Sequence, residues 1–199
     1  KVCENIKYCI TLDSDTNLPI DAVHKMVGTM LHPNNTPLVK NGRVVDGFAC
    51  LSPSVSTTLS SAAKTSFSFI MSGSVGSDLY SGARFDLYQT LFGNGIFCGK
   101  GIFDKNVFLE LNSKATLPDG IILSHDAIEG AHLNCNMLTN LVLTDTYPKN
   151  QLSYFKRLHR WIRGDIQNMI FLLKNVKVGD KRVKNNISVL SKYKLFDNV

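Results

Sequence analysis

No stretch of this 199-residue chain approaches the ~20 consecutive apolar residues that a membrane-spanning helix needs. The start, Lys1-Val-Cys-Glu-Asn-Ile-Lys7, lacks the apolar core of a secretory signal. The sequence therefore predicts a soluble chain. Cysteine is sparse: Cys3, Cys9, Cys50, Cys98 and Cys135 are odd in number, widely spaced and without a C-x-x-C pair. That excludes a disulfide-stapled domain and a zinc knuckle, and fits reduced thiols in a cytosolic setting. There is no internal repeat and no break in composition that would divide the chain. What is present, 44% hydrophobic and 19% charged residues, suits one globular domain able to bury a core.

Positive charge gathers at the end, where Lys174, Lys177, Lys181, Arg182, Lys184, Lys192 and Lys194 face only Asp180 and Asp197. Such a segment can bind nucleic acid, lie near anionic lipid, or simply be a solvated end, which is the default. Nucleic-acid binding would call for aromatic platforms among the basic residues. Only Tyr193 and Phe196 stand there, so no nucleic-acid partner is expected.

Residues 6–12 read as a buried strand. Leu18, Ala22, Val23, Met26, Val27 and Met30 recur at helical spacing and predict a helix from Pro19 to Leu31, ended by His32-Pro33. Arg43 to Leu51 reads as a strand bounded by Asn41-Gly42 and by Pro53. Ala62 to Met71 is helical in character within a serine-rich stretch. Residues 94–103 set three glycines in an apolar run, the mark of a bulge, a turn or a close approach of backbone to a ligand. A short helix from Ser124, a strand at Leu138–Thr144 and a long helix over Leu152–Leu173 complete the pattern. Strands alternating with helices imply an α/β fold with a mainly parallel sheet.

Two patterns carry chemistry. Asp13 and Asp15 follow the first strand as D-x-D, and residues i and i+2 of a strand share a face, so the two carboxylates can converge. At ~4 Å they repel by about 1 kcal/mol in water and roughly 4 at an effective dielectric of 20, which favours a cation between them. Magnesium or manganese suits such an oxygen-only site, bound through one or two carboxylates plus substrate phosphates. Acidic pairs are also common in plain turns and helix caps. The second pattern, His125, Glu129 and His132 at i, i+4 and i+7, has the spacing of a zinc site and would fit a metal-dependent hydrolase. A non-catalytic glycan-binding or nucleic-acid-binding module is a third possibility.

The order of several segments resembles the processive inverting glycosyltransferases of the GT-A fold, and in particular the glycosyltransferase domain of cyclic β-1,2-glucan synthases. The similar segments are Ile10-Thr-Leu-Asp-Ser-Asp-Thr16, Ser72-Gly-Ser-Val-Gly-Ser-Asp78, Asp86-Leu-Tyr-Gln89, Gly99-Lys-Gly-Ile-Phe-Asp104, Leu123-Ser-His-Asp-Ala-Ile-Glu-Gly130 and His159-Arg-Trp-Ile-Arg-Gly-Asp165. The resemblance implies a UDP-glucose donor and a β-glucan acceptor. It implies Asp13 and Asp15 as holders of Mg2+ or Mn2+ on the donor diphosphate, and Asp126 as the general base. Arg160 and Arg163 would neutralise the leaving diphosphate, while Trp161, Cys98, Gly99, Lys100 and Asp78 would serve the acceptor and sugar. A lone tryptophan in an amphipathic helix is otherwise a core residue. Many processive relatives have Gln three residues before the Arg-Trp pair, where this chain has Arg157.

The same resemblance sets expectations about extent. The βαβ half that holds the uridine should precede the D-x-D strand, and here only Lys1–Leu12 do. The chain then looks like the C-terminal portion of a transferase domain over residues 1–175, with 176–199 a basic tail approaching a membrane segment. It would act at the cytoplasmic face of the bacterial inner membrane as part of a larger synthase. A sheet edge left open at residues 6–12 or its neighbour would favour a homo-oligomer.

Overall fold

The computed structural model describes residues 5–73, 87–114, 125–178 and 181–199. The chain opens with β1 (Tyr8–Thr11), α1 (Ala22–Leu31), the hairpin strands β2 (Leu38–Lys40) and β3 (Arg43–Asp46), and β4 (Cys50–Thr57). Three helices follow: α2 (Leu59–Ala62), α3 (Ser66–Ser72) and α4 (Leu87–Phe92). Then come β5 (Gly101–Asp104), α5 (Lys105–Lys114), α6 (Asp126–Leu133) and the long β6 (Cys135–Asp145). The chain ends with α7 (Gln151–Asn168), the hairpin β7 (Asn175–Val178) and β8 (Lys181–Lys184), and α8 (Val189–Asp197).

The main sheet has the order β1-β5-β4-β6. β5 runs antiparallel to both β1 and β4, and only β4 and β6 pair in parallel. The expected mainly parallel sheet is therefore corrected to a mixed one. β1, β4 and β6 do share a direction, as strand–helix alternation implies. The glycine segment, however, feeds a four-residue strand backwards into the gap between β1 and β4. β1 and β6 form the edges of this sheet.

Each face of the sheet is covered. Ala22, Met26 and Met30, four residues apart on α1, pack with Leu51, Ile102, Leu138 and Leu141 on one side. Alternate residues of the same strands, Cys50 and Cys135, turn to the other side and join Phe97, Leu111 and Leu133 of the α5–α6 layer. A third cluster joins Ile128 of α6 to Phe171, Val176, Ile187 and Leu195. The basic end is therefore a folded hairpin and helix packed on α6, with Lys174, Lys177, Arg182 and Lys184 exposed to solvent.

Two strand limits differ from expectation. The break after β3 comes at Gly47, whose φ of +64° and 2.1 Å approach of a would-be Cβ to the Thr36 carbonyl oxygen admit only glycine. Pro53 does not end a strand but lies inside β4. Its missing N–H is tolerated because the pairing of β4 with β5 stops at Leu51–Ile102 and the register with β6 slips between Pro53 and Ser54.

Candidate active site

The carboxyl ends of β1 and β6 and the start of β5 lie at the same end of the sheet, where ligands of open α/β sheets bind. Past Thr11 the chain forms a turn, closed by Thr16 N–H donating to the Asp13 carbonyl, and Asn17 bridges Thr144 of β6. This turn, rather than the pleat of a strand, places the D-x-D pair, so its two carboxylates take different partners. Asp13 Oδ2 lies 2.8 Å from Lys100 Nζ, and the same ammonium is 3.0 Å from Oδ2 of the buried Asp145. Thr16 donates its hydroxyl to the other oxygen of Asp145 at 2.7 Å. Asp15 accepts a 2.5 Å hydrogen bond from the Thr146 hydroxyl, which holds its carboxyl below the usual range.

Lys100 reaches this position from the glycine segment. Burial alone would lower its pKa, but the ion pairs with Asp13 and Asp145 outweigh that and keep it firmly charged. The backbone beside it is special at Gly101, where φ is +146° and a Cβ would meet the Leu51 carbonyl oxygen at 2.0 Å. Cys98, half-buried, places its Sγ 3.5 Å from the Ser52 hydroxyl.

Asp126 begins α6 and faces the same cluster. Burial pushes its carboxyl above the usual carboxylate range and the Asp13 carboxylate adds to this, against His125, Lys100 and Arg160. Glu129, one turn on, is raised by burial and then by Asp126. A raised, half-buried carboxyl beside cationic groups is the kind of group that can serve as a proton acceptor.

α7 is capped by Asn150, whose side chain accepts from the Ser153 N–H, and carries Arg157, Arg160, Trp161 and Arg163. Arg160 and Arg163 are exposed, and Trp161 is half-buried with the Arg157 guanidinium 5.9 Å from its ring. An open cleft of about 300 Å³, lined by Thr146, Lys149, Asn150, Ser153 and Arg157, adjoins Asp15. Asp78 lies outside the described residues.

The hydrolase pattern separates in space. His132 is buried with Nδ1 3.3 Å from the Gly42 carbonyl oxygen in the β2–β3 turn, and burial lowers its pKa. Among the described residues no group of three or more His, Cys, Asp and Glu side chains is placed to hold a metal ion. The D-x-D turn offers carboxylate and hydroxyl oxygens of the kind a hard cation takes, with further oxygens to come from a substrate. Asp145 and Thr146 escaped the sequence reading, although an apolar strand running into Asp145-Thr146 repeats the strand-then-acid form seen at Asp13.

No family model matches the chain. It is related to part of a glucan synthase. That relative is the cyclic β-(1,2)-glucan synthase NdvB of Rhizobium meliloti (strain 1021), 35% identical over 201 aligned positions that take in the whole chain. The chain spans 7% of that synthase's length. No helix among the described residues is long and apolar enough to cross a membrane.

Proposed function

We propose that this chain is part of an inverting glycosyltransferase of GT-A type that passes glucose from UDP-glucose to a growing β-glucan. It would work within a larger, membrane-associated synthase of cyclic β-1,2-glucan. The observation that carries the reading is Asp126, a raised, half-buried carboxyl seated against Gly99 and facing Asp13, Lys100 and Arg160. In this reading Asp126 takes the proton from the acceptor hydroxyl as its oxygen bonds to the anomeric carbon. The bond from that carbon to the diphosphate breaks on the opposite face, and the electron pair leaves with the diphosphate. Arg160, with Arg163 on the same helix, meets the charge on the leaving group, which a fixed guanidinium does better than a lysine.

Asp13 and Asp15 would hold Mg2+ or Mn2+, which when bound supplies positive charge to the diphosphate. Trp161 offers an aromatic face to a glucose ring. Residues 1–175 would be the C-terminal portion of the transferase domain, and the basic hairpin and α8 would lie toward the membrane. The test is Asp126→Asn in the complete synthase. Transfer should be abolished while donor binding is nearly intact, because the amide keeps the shape and cannot take a proton. Retention of more than about a tenth of the activity, a loss under ~1.4 kcal/mol, would refute the base assignment.

A further inference from the structure

Lys100 stands out because its side chain is only 13% exposed yet its ammonium touches two carboxylates, one buried and one open to solvent. The buried partner, Asp145, is fixed from the other side by the Thr16 hydroxyl. The open partner, Asp13, is the first acid of the D-x-D pair. The ammonium therefore already supplies positive charge to Asp13 of the turn and to Asp145, while Asp15 is held separately by the Thr146 hydroxyl. A dication on Asp13 and an ammonium 2.8 Å from the same carboxylate repel each other, so both cannot keep full contact with it. Asp145 is at the same time near enough to keep hold of Lys100 by itself. A lysine stem is flexible and its ammonium a compact charge, so it can leave one oxygen for another without the geometric demands of a guanidinium.

We propose that Lys100 is the resident cation of the D-x-D turn. A divalent metal arriving at Asp13 displaces its ammonium, which then swings on Asp145 toward the substrate phosphates. The inference rests on the metal reading given above. It makes Lys100 a positioning residue that sets the affinity of the turn for metal, in place of a simple acceptor contact.

The test uses Mn2+ alone and Mn2+ with pyrophosphate, followed by calorimetry and by manganese EPR on this chain. Lys100→Met should bind Mn2+ at least ten-fold more tightly than the parent, while Lys100→Arg, which keeps the charge, should stay within about three-fold of it. Asp13→Asn should abolish the gain. A second measurement needs no variant: with the parent chain, saturating Mn2+ should raise the labelling of Lys100 by an amine-reactive reagent several-fold, read by mass spectrometry. Exposed Lys25 serves as the unchanged reference. Equal or weaker Mn2+ binding by Lys100→Met, or unchanged Lys100 labelling in a chain that binds Mn2+, overturns the displacement and leaves the metal reading standing. Failure of the parent and all variants to bind Mn2+, with or without pyrophosphate, overturns both.

Discussion

A Cβ on Gly99 would sit 3.0 Å from Oδ2 of Asp126 and 3.1 Å from its Oδ1, so the carboxyl of the first residue of α6 lies directly on the glycine segment. Gly99 also has φ +83°, where an L side chain is strained. Gly99→Ala should therefore cost about 1–2 kcal/mol of stability from the backbone alone and push Asp126 aside as well. Thermal unfolding should show a fall of several degrees. In the complete synthase, transfer should drop further than the lost stability explains.

The pKa of Asp126 is raised in the folded chain, so its charged form costs stability. That stability is fully present below the ordinary carboxylate pKa and is lost as pH rises through the raised folded value. Asp126→Asn removes the charge and should raise Tm at pH 7. At pH 3 the gain should vanish, because the acid is then neutral in both states. A lower Tm for the variant at pH 7 would show that the carboxylate is needed by its neighbours more than burial opposes it.

Asp15 behaves in the opposite sense. The Thr146 hydroxyl, foremost among its partners, depresses its pKa, so the stability it contributes is present above the ordinary carboxylate value and is lost as pH falls through the folded one. Thr146→Val should return the Asp15 titration toward the ordinary value, readable by NMR of the side-chain carboxyl. The group is half-buried on a surface turn, and the change in stability should stay within about 1 kcal/mol.

Lys194 is the clasp of the C-terminal helix. Its buried ammonium donates to the Asn94 and Gly95 carbonyls at 2.6 and 3.0 Å and lies 5.0 Å from the Tyr88 ring centroid. Tyr88 in turn donates to Asp197 of α8 at 2.5 Å. Lys194→Met leaves those carbonyls without their donor, at about 1–3 kcal/mol for each group unsatisfied. A Tm fall of at least about 4 °C is expected.

The apolar spacing of Ala22, Met26 and Met30 made α1 legible in the sequence, and the runs at Tyr8 and Leu138 did the same for β1 and β6. These are cases in which one buried face is written into the period of a single segment. The direction of β5 was not legible, since a four-residue strand pairs by long-range fit rather than by its own pattern. Asp13, Lys100 and Asp126 stand at or beside element ends where a motif can be read, and Lys100 lies against Asp13 with Asp126 close by, whereas Arg160 sits exposed in the middle of α7. Asp145 was not singled out, although it ends an apolar strand as Asp13 follows one, because its pairing depends on a lysine forty-five positions away.

Among the described residues the edge strand β1 pairs with β5 alone, with Tyr8 opposite Asp104. During synthesis the first strand therefore leaves the ribosome long before the segment that will receive it exists. The gap closes only after α1, β4 and the glycine segment have been made, and the acids at its end then meet Lys100. Pairings at such sequence separation are slow to form and leave apolar backbone open in the meantime. The D-x-D turn is thus made well before residues 94–104, which supply its neighbours, and damage anywhere in that segment should be felt first as a failure of the nascent chain to close.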